Sequence, residues 1–168
     1  MFSVTVKQAA AGAEDIGREL AEQLRSFKFT ENRKFTHLRV NPEPMPYGKV
    51  LIVDDVETNL YVAEGLMSPY KLKIELVISG FKAIEKIKKG MTYDIIFMDH
   101  MMPLMDGIET TQKLREMQYK GPIVALTANA LVGNEEMFKE KGFNAFISKP
   151  IDLHHLNDVL HMFIRKTD

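Results

Sequence analysis

Five side chains able to do chemistry each stand at the end of a short apolar run. Asp54 and Asp55 follow VLIV, Asp99 follows IIFM, Thr127 follows IVAL and Lys149 follows AFIS. Taken singly, each has a plain structural reading. An Asp or Thr after a strand commonly caps the next helix, and a Lys before Pro commonly sits in a solvated loop. Taken together they form a chemical set. If the apolar runs lie side by side, three carboxylates, one hydroxyl and one ammonium converge on one rim. Carboxylates a few ångströms apart repel, and three of them do not all stay ionised unaided. A hard divalent cation with oxygen ligands resolves that conflict. Mg²⁺, which keeps several waters and shares its sites with phosphate oxygens, is the expected one. The lysine and the hydroxyl then complete an anion pocket. The chemistry implied is phosphoryl transfer, with one aspartate free to act as nucleophile.

These residues need strands to hold them. Apolar runs at 50–53, 74–78, 95–98, 123–126 and 145–147 read as five strands. The first, third and fourth are apolar without alternation, as in strands covered on both faces. Amphipathic stretches at 59–67, 81–89, 107–117 and 134–141 alternate with them. A last helix at 153–165 places Leu156, Val159, Leu160 and Phe163 on one face, with Asp152 as its N-cap. This alternation predicts an α/β domain with a doubly wound parallel sheet and right-handed crossovers. For about 120 residues and five strands the expected form is flavodoxin-like, with strand order 2-1-3-4-5. Ligands of such sheets bind beyond the carboxyl ends of the strands, where the five residues stand.

Composition narrows the partners. The chain of 168 residues is 45% hydrophobic and 27% charged, enough to bury an ordinary globular core. A formal net charge of -1 gives no reason to expect nucleic acid or an acidic membrane surface as partner. The absence of cysteine excludes disulfides, thiolate metal sites and cysteine nucleophiles. No apolar run approaches the roughly 20 residues of a membrane span. The first residues lack a signal peptide's basic start and apolar run. A cytoplasmic location without membrane contact by this chain is therefore expected, whatever anchors a parent protein. In NPEPMPYG (41–48) alternate prolines favour an extended linker. Two parts follow: 1–47, the tail of a preceding domain plus its connector, and 48–168, the strand–helix domain. Within the first part FSVTVKQ alternates as a strand does, and AEDIGRELAEQLRSF aligns Ile16, Leu20, Leu24 and Phe27 on one helical face. A lone strand and helix make no core of their own.

VLIVDDVETN, DIIFMDHMMPLMDG, PIVALTANA and FNAFISKPI resemble, in order and spacing, the receiver domain of two-component response regulators, over about residues 48–164. The resemblance implies the CheY-like form of the flavodoxin-like fold. It implies Asp99 as phosphoacceptor, with Asp54, Asp55, Asp99 and the carbonyl of Met101 as Mg²⁺ ligands. Thr127 corresponds to the switch hydroxyl and Lys149 to the lysine of the site, so Asp99, Thr127 and Lys149 form the catalytic set. Phe146 corresponds to an aromatic that swings inward on activation and alters the surface of the fourth helix, fifth strand and fifth helix. The Lys149–Pro150 bond is expected to be cis. A histidine kinase or histidine phosphotransfer domain is the implied phosphodonor, and the receiver is expected to be monomeric. Asn59, MDGIETTQKLR and ALTANAL further resemble the receivers of hybrid sensor histidine kinases, and FSVTVKQ resembles the last strand of their ATP-binding domain. The kinase's own nucleotide-binding motifs are absent, so this chain is not expected to be a kinase by itself. No DNA-binding domain is expected after Arg165.

Two other readings compete for this set. A degenerate receiver, a pure interaction module, would tolerate loss of one of the five residues, and none is lost. A haloacid-dehalogenase-type phosphatase needs a second aspartate two residues after its nucleophile, where Met101 stands. THLRVNP faintly resembles a phosphohistidine box, but Leu38 occupies the acidic position, so His37 reads as a linker histidine. His154 and His155 are adjacent, and His161 shares a face with His154 without a carboxylate partner, which makes a poor zinc site. His100 either modulates access to Asp99 or is a neutral rim residue. Met98, Met101, Met102 and Met105 are expected in core and loop packing.

Overall fold

Each apolar run is a strand. β1 (Lys49–Val53), β2 (Lys73–Val77), β3 (Ile95–Asp99), β4 (Ile123–Thr127) and β5 (Ala145–Ser148) pair in parallel in the order β2-β1-β3-β4-β5. The computed structural model describes residues 40–129 and 134–164. The strand and helix read ahead of residue 40, His37, residues 130–133 and Arg165 lie outside the described residues. The chain divides into two units, Met1–Asn41 and Pro42–Asp168, and the sheet belongs to the second.

Helices α1 (Glu57–Met67), α2 (Gly80–Lys88), α3 (Gly107–Glu116), α4 (Asn134–Glu140) and α5 (Leu153–Phe163) alternate with the strands. β1, β3 and β4 are buried along almost their whole length, whereas the outer strands β2 and β5 are covered only in part. That is why the three central strands lack alternation. The pleat still sorts their side chains by face. Val50, Ile52, Phe97 and Leu126 pack with Leu60 and Met67 of α1 and Leu156 and Leu160 of α5. Leu51, Val53, Met98 and Ala125 pack on the other face with Ala83 of α2, Leu114 of α3 and Phe138 of α4.

Helix starts follow capping chemistry. Ser79, Asp106 and Asp152 accept hydrogen bonds from the amides of Lys82, Glu109 and His155, opening α2, α3 and α5. α1 starts at Glu57, two residues ahead of the sequence reading. Its N-cap, Val56, has no side-chain cap; the Asp54 carboxylate instead accepts from the Val56 amide at 2.9 Å and turns the chain early. β2 ends at Val77, one residue short of the reading, and Ile78 lies 52% exposed.

The proline-rich stretch is more than a connector. Met45 is 1% exposed and joins the α1–α5 side of the core. Its amide donates to the Tyr70 carbonyl at 2.6 Å, and the Gly48 amide donates to the Met45 carbonyl at 2.9 Å. Pro46, second in that turn, presets the φ it requires. A Cβ on Gly48 would press on Leu72 at 2.6 Å and Ile164 at 3.0 Å. The prolines signal an extended path; they do not reveal that a methionine among them docks.

Candidate functional site

Parallel register sets the strand ends side by side. Val53 pairs with Met98, so Asp54 and Asp99 emerge from neighbouring strands. Asp99 pairs with Leu126, and Thr127 with Ser148, so Thr127 and Lys149 continue the same rim. One carboxylate oxygen each of Asp54, Asp55 and Asp99 lies within 4.8 Å of the other two. The Lys149 ammonium joins them, donating to Asp54 Oδ2 at 2.9 Å and to Asp99 Oδ1 at 2.8 Å. Asp54 Oδ1 accepts from the Val56 amide at 2.9 Å and from Asn59 Nδ2 at 3.3 Å. Asp55 is exposed, while the side chains of Asp54 and Asp99 are 2% and 10% accessible.

Charge and burial conflict here. Burial pushes the Asp99 carboxyl above the usual carboxylate range; the Lys149 ammonium opposes that push, and the charges of Asp54 and Asp55 add to it. Burial alone would pull the Lys149 ammonium down, but its bonds to Asp99 and Asp54 outweigh burial and hold it above an ordinary lysine. Three carboxylates against one ammonium leave an excess of two negative charges. A divalent cation balances that excess. The donors are hard oxygens with no thiol or imidazole among them, which suits Mg²⁺ rather than a softer metal.

The remaining expected residues spread away from this centre. Thr127 is 1% exposed, and its hydroxyl is engaged by the Asn129 amide at 3.1 Å rather than by Asp99. Phe146 stands opposite Ala125 inside β5, half-buried, stacked on Phe138 at 5.9 Å and edge-on to His155 at 6.4 Å. Met101 is 73% exposed, so the packing expected of the four methionines holds for Met98, Met102 and Met105 but not for it. Lys149–Pro150 is cis. Two contacts were missed by sequence reasoning. Asn59 stood out only as part of a motif, yet it binds Asp54; its place in the first turn of α1 was the available signal. The ring of His100 packs edge-on against Phe138 at 5.5 Å, and nothing local in the sequence announces a partner so far along the chain.

Beside the acidic cluster lies an apolar cleft of about 380 Å³, lined by Val62 and Leu66 of α1 and by Pro150 and Ile151, and shared with Asp54 and Lys149. Val56, Tyr61 and Val62 are exposed at and on α1. Among the described residues no helix is long and apolar enough to cross a membrane.

Residues 50–161 match the response regulator receiver domain family. The autoinducer 2 sensor kinase/phosphatase LuxQ of Vibrio vulnificus is 38% identical over 128 residues, which are 73% of this chain but only 15% of LuxQ. The receiver domain of the sensor histidine kinase PA1611 from Pseudomonas aeruginosa, solved with magnesium coordinated in its active site cleft, is 32% identical. It superposes with a TM-score of 0.62 over 70% of this chain and 98% of its own. The receiver domain of the Saccharomyces cerevisiae response regulator Ssk1, solved with the histidine phosphotransfer protein Ypd1, is 26% identical with a TM-score of 0.63, covering 75% and 92% of the two chains.

Proposed function

The chain belongs to the response regulator receiver family, and on that premise we propose that it is a phosphoacceptor of a phosphorelay, with Asp99 taking the phosphoryl group from a phosphohistidine. The observation that carries this reading is the Lys149 ammonium bridging Asp54 and Asp99, with Asp55 in the same cluster. An Asp99 carboxylate oxygen bonds to phosphorus as the phosphorus–nitrogen bond of the donor breaks, and the electron pair stays on the imidazole, which carries a proton on its other ring nitrogen and so leaves neutral. Lys149 neutralises charge on the transferred oxygens. Thr127 turns its hydroxyl from Asn129 to a phosphoryl oxygen, and Phe146 moves inward behind it, changing the α4–β5–α5 surface. Asp54, Asp55, Asp99 and the Met101 carbonyl would hold Mg²⁺, which when bound screens the negative charge that otherwise repels an incoming phosphoryl group.

The donor is a histidine kinase or a histidine phosphotransfer domain, and the cleft beside α1, lined by exposed Val62, supports apolar docking next to the acidic cluster. The parent protein is read as a hybrid sensor histidine kinase, in which residues 1–47 are the tail of a preceding domain plus its proline-rich connector, whose Met45 docks on the receiver of residues 48–168; the likeness to LuxQ supports this. The test is mass spectrometry after incubation with acetyl phosphate and Mg²⁺. One phosphoryl group is expected on the wild type and none on Asp99→Asn. An unmodified wild type, or a modified variant, overturns the assignment.

A further inference from the structure

We infer that His100 is a positioning residue for the switch. Acting through Phe138, its ring sets how readily Phe146 leaves its half-buried place, a second route beside Thr127 from the acceptor loop to the α4–β5–α5 surface. The inference rests on the reading of Asp99 as phosphoacceptor.

Four rings form a continuous chain. His100 meets Phe138 edge-on at 5.5 Å and 83°; Phe138 stacks on Phe146 at 5.9 Å and 23°; Phe146 meets His155 edge-on at 6.4 Å and 86°. Both ends are anchored. The His100 amide donates to the Leu126 carbonyl at 2.9 Å, and its own carbonyl accepts from the Gly107 amide at 3.1 Å. The residue next to Asp99 is thus tied to β4 and to the first turn of α3. At the far end, the His155 amide donates to the Asp152 cap of α5. Between them Phe138 is 2% exposed and also packs edge-on against Phe143 at 5.5 Å. A ring so enclosed cannot follow Phe146 without its other neighbours giving way, because packed interiors deform in discrete steps.

This route is separate from the hydroxyl's. Thr127 reaches Phe146 along the backbone, since Thr127 pairs with Ser148 and Ala125 with Phe146 in the β4–β5 ladder. The His100 ring reaches it through side chains, by way of Phe138. The chain also ends at a feature a partner can read: Phe138, Phe146, His155 and Met162 line a cavity of about 360 Å³ on the α4–β5–α5 face. A cycle of variants measures the coupling along the chain of rings.

Assigned aromatic NMR resonances of Phe146 report its two positions. In the free protein His100→Ala should change the balance between them by about two- to tenfold, the equilibrium equivalent of one aromatic pair. His100→Phe should restore it, and both variants should keep wild-type Mg²⁺ affinity. With beryllofluoride standing in for the phosphoryl group, Thr127→Ala and His100→Ala should each lose part of the Phe146 response and the double variant nearly all of it. A wild-type Phe146 balance in folded His100→Ala overturns the inference, as does failure of His100→Phe to restore it. If beryllofluoride leaves wild-type Phe146 unmoved, the switching part of the proposed function fails, while the free-protein comparison still decides the role of His100.

Discussion

Asp99 must be ionised to attack phosphorus, yet it sits where burial resists ionisation. Its folded pKa lies above the unfolded value, so the stability it contributes is fully present below about pH 3.9 and is lost as pH rises through the folded pKa. In metal-free protein at neutral pH the ionised carboxylate is therefore a net cost. Asp99→Asn should be more stable than wild type at pH 7, and the gap should close toward pH 4, as read by urea unfolding. A variant less stable than wild type at pH 7 contradicts the raised pKa. Mg²⁺ added at pH 7 should stabilise wild type selectively, and its affinity should fall as the pH drops toward the range where Asp99 takes up a proton. Met101, two residues past Asp99 and 73% exposed, bears on how long the phosphoryl mark survives. Hydrolysis of an aspartyl phosphate needs a water held in line with phosphorus. A thioether offers that water no useful hydrogen bond, whereas an amide does. Met101→Asn should lose its phosphoryl group several-fold faster after removal of a small-molecule donor, a barrier change of about 1 kcal/mol. Equal or slower loss removes Met101 as the brake.

At the scale of elements, the acceptor is braced by the helix that follows it. A Cβ on Gly107 would overlap the Asp99 backbone carbonyl and crowd Met98 Cγ at 3.0 Å, and the carbonyl cannot swing aside as a flexible side chain can. Gly107→Ala should cost about 1–3 kcal/mol of stability and weaken Mg²⁺ binding with it, because the strain falls on the acceptor's own peptide. An unchanged Mg²⁺ titration would separate α3 from the site. Further along α3, Thr111 Oγ1 is buried and has no hydrogen-bond partner among the described residues. Thr111→Val, nearly isosteric, should be neutral or gain up to about 1 kcal/mol in chemical denaturation. The strands and most helices were legible because burial on both faces writes unbroken apolar runs and helices write their own period. Asp54, Asp55, Asp99 and Lys149 were legible as a set because each ends such a run. What was not legible depends on side-chain geometry: the early start of α1, set by the Asp54 turn, and the packing of His100 on Phe138.

For the folded unit as a whole, the stretch before β1 matters more than its prolines suggest. Met45 is enclosed with Tyr70, Leu156 and Ile164 in the core between the sheet and the α1–α5 layer. The Tyr70 carbonyl accepts from the Met45 amide at 2.6 Å, while the Tyr70 hydroxyl donates to Asn157 Oδ1 of α5 at 3.0 Å. One short segment thus ties the entry of the chain to the turn after α1 and, through Tyr70, to α5. Removing a fully enclosed methionine loses its transfer free energy and leaves a cavity, so Met45→Ala should cost about 2–5 kcal/mol. A chain beginning at Gly48 should suffer a loss at least as large, because the amide bond to Tyr70 goes with the side chain. A chain beginning at Pro42 keeps both the Met45 side chain and that bond, and is the reference for each loss. Urea denaturation of the three proteins decides it. If the chain from Gly48 is as stable as the chain from Pro42, residues 42–47 are connector only and Met45 holds nothing in place.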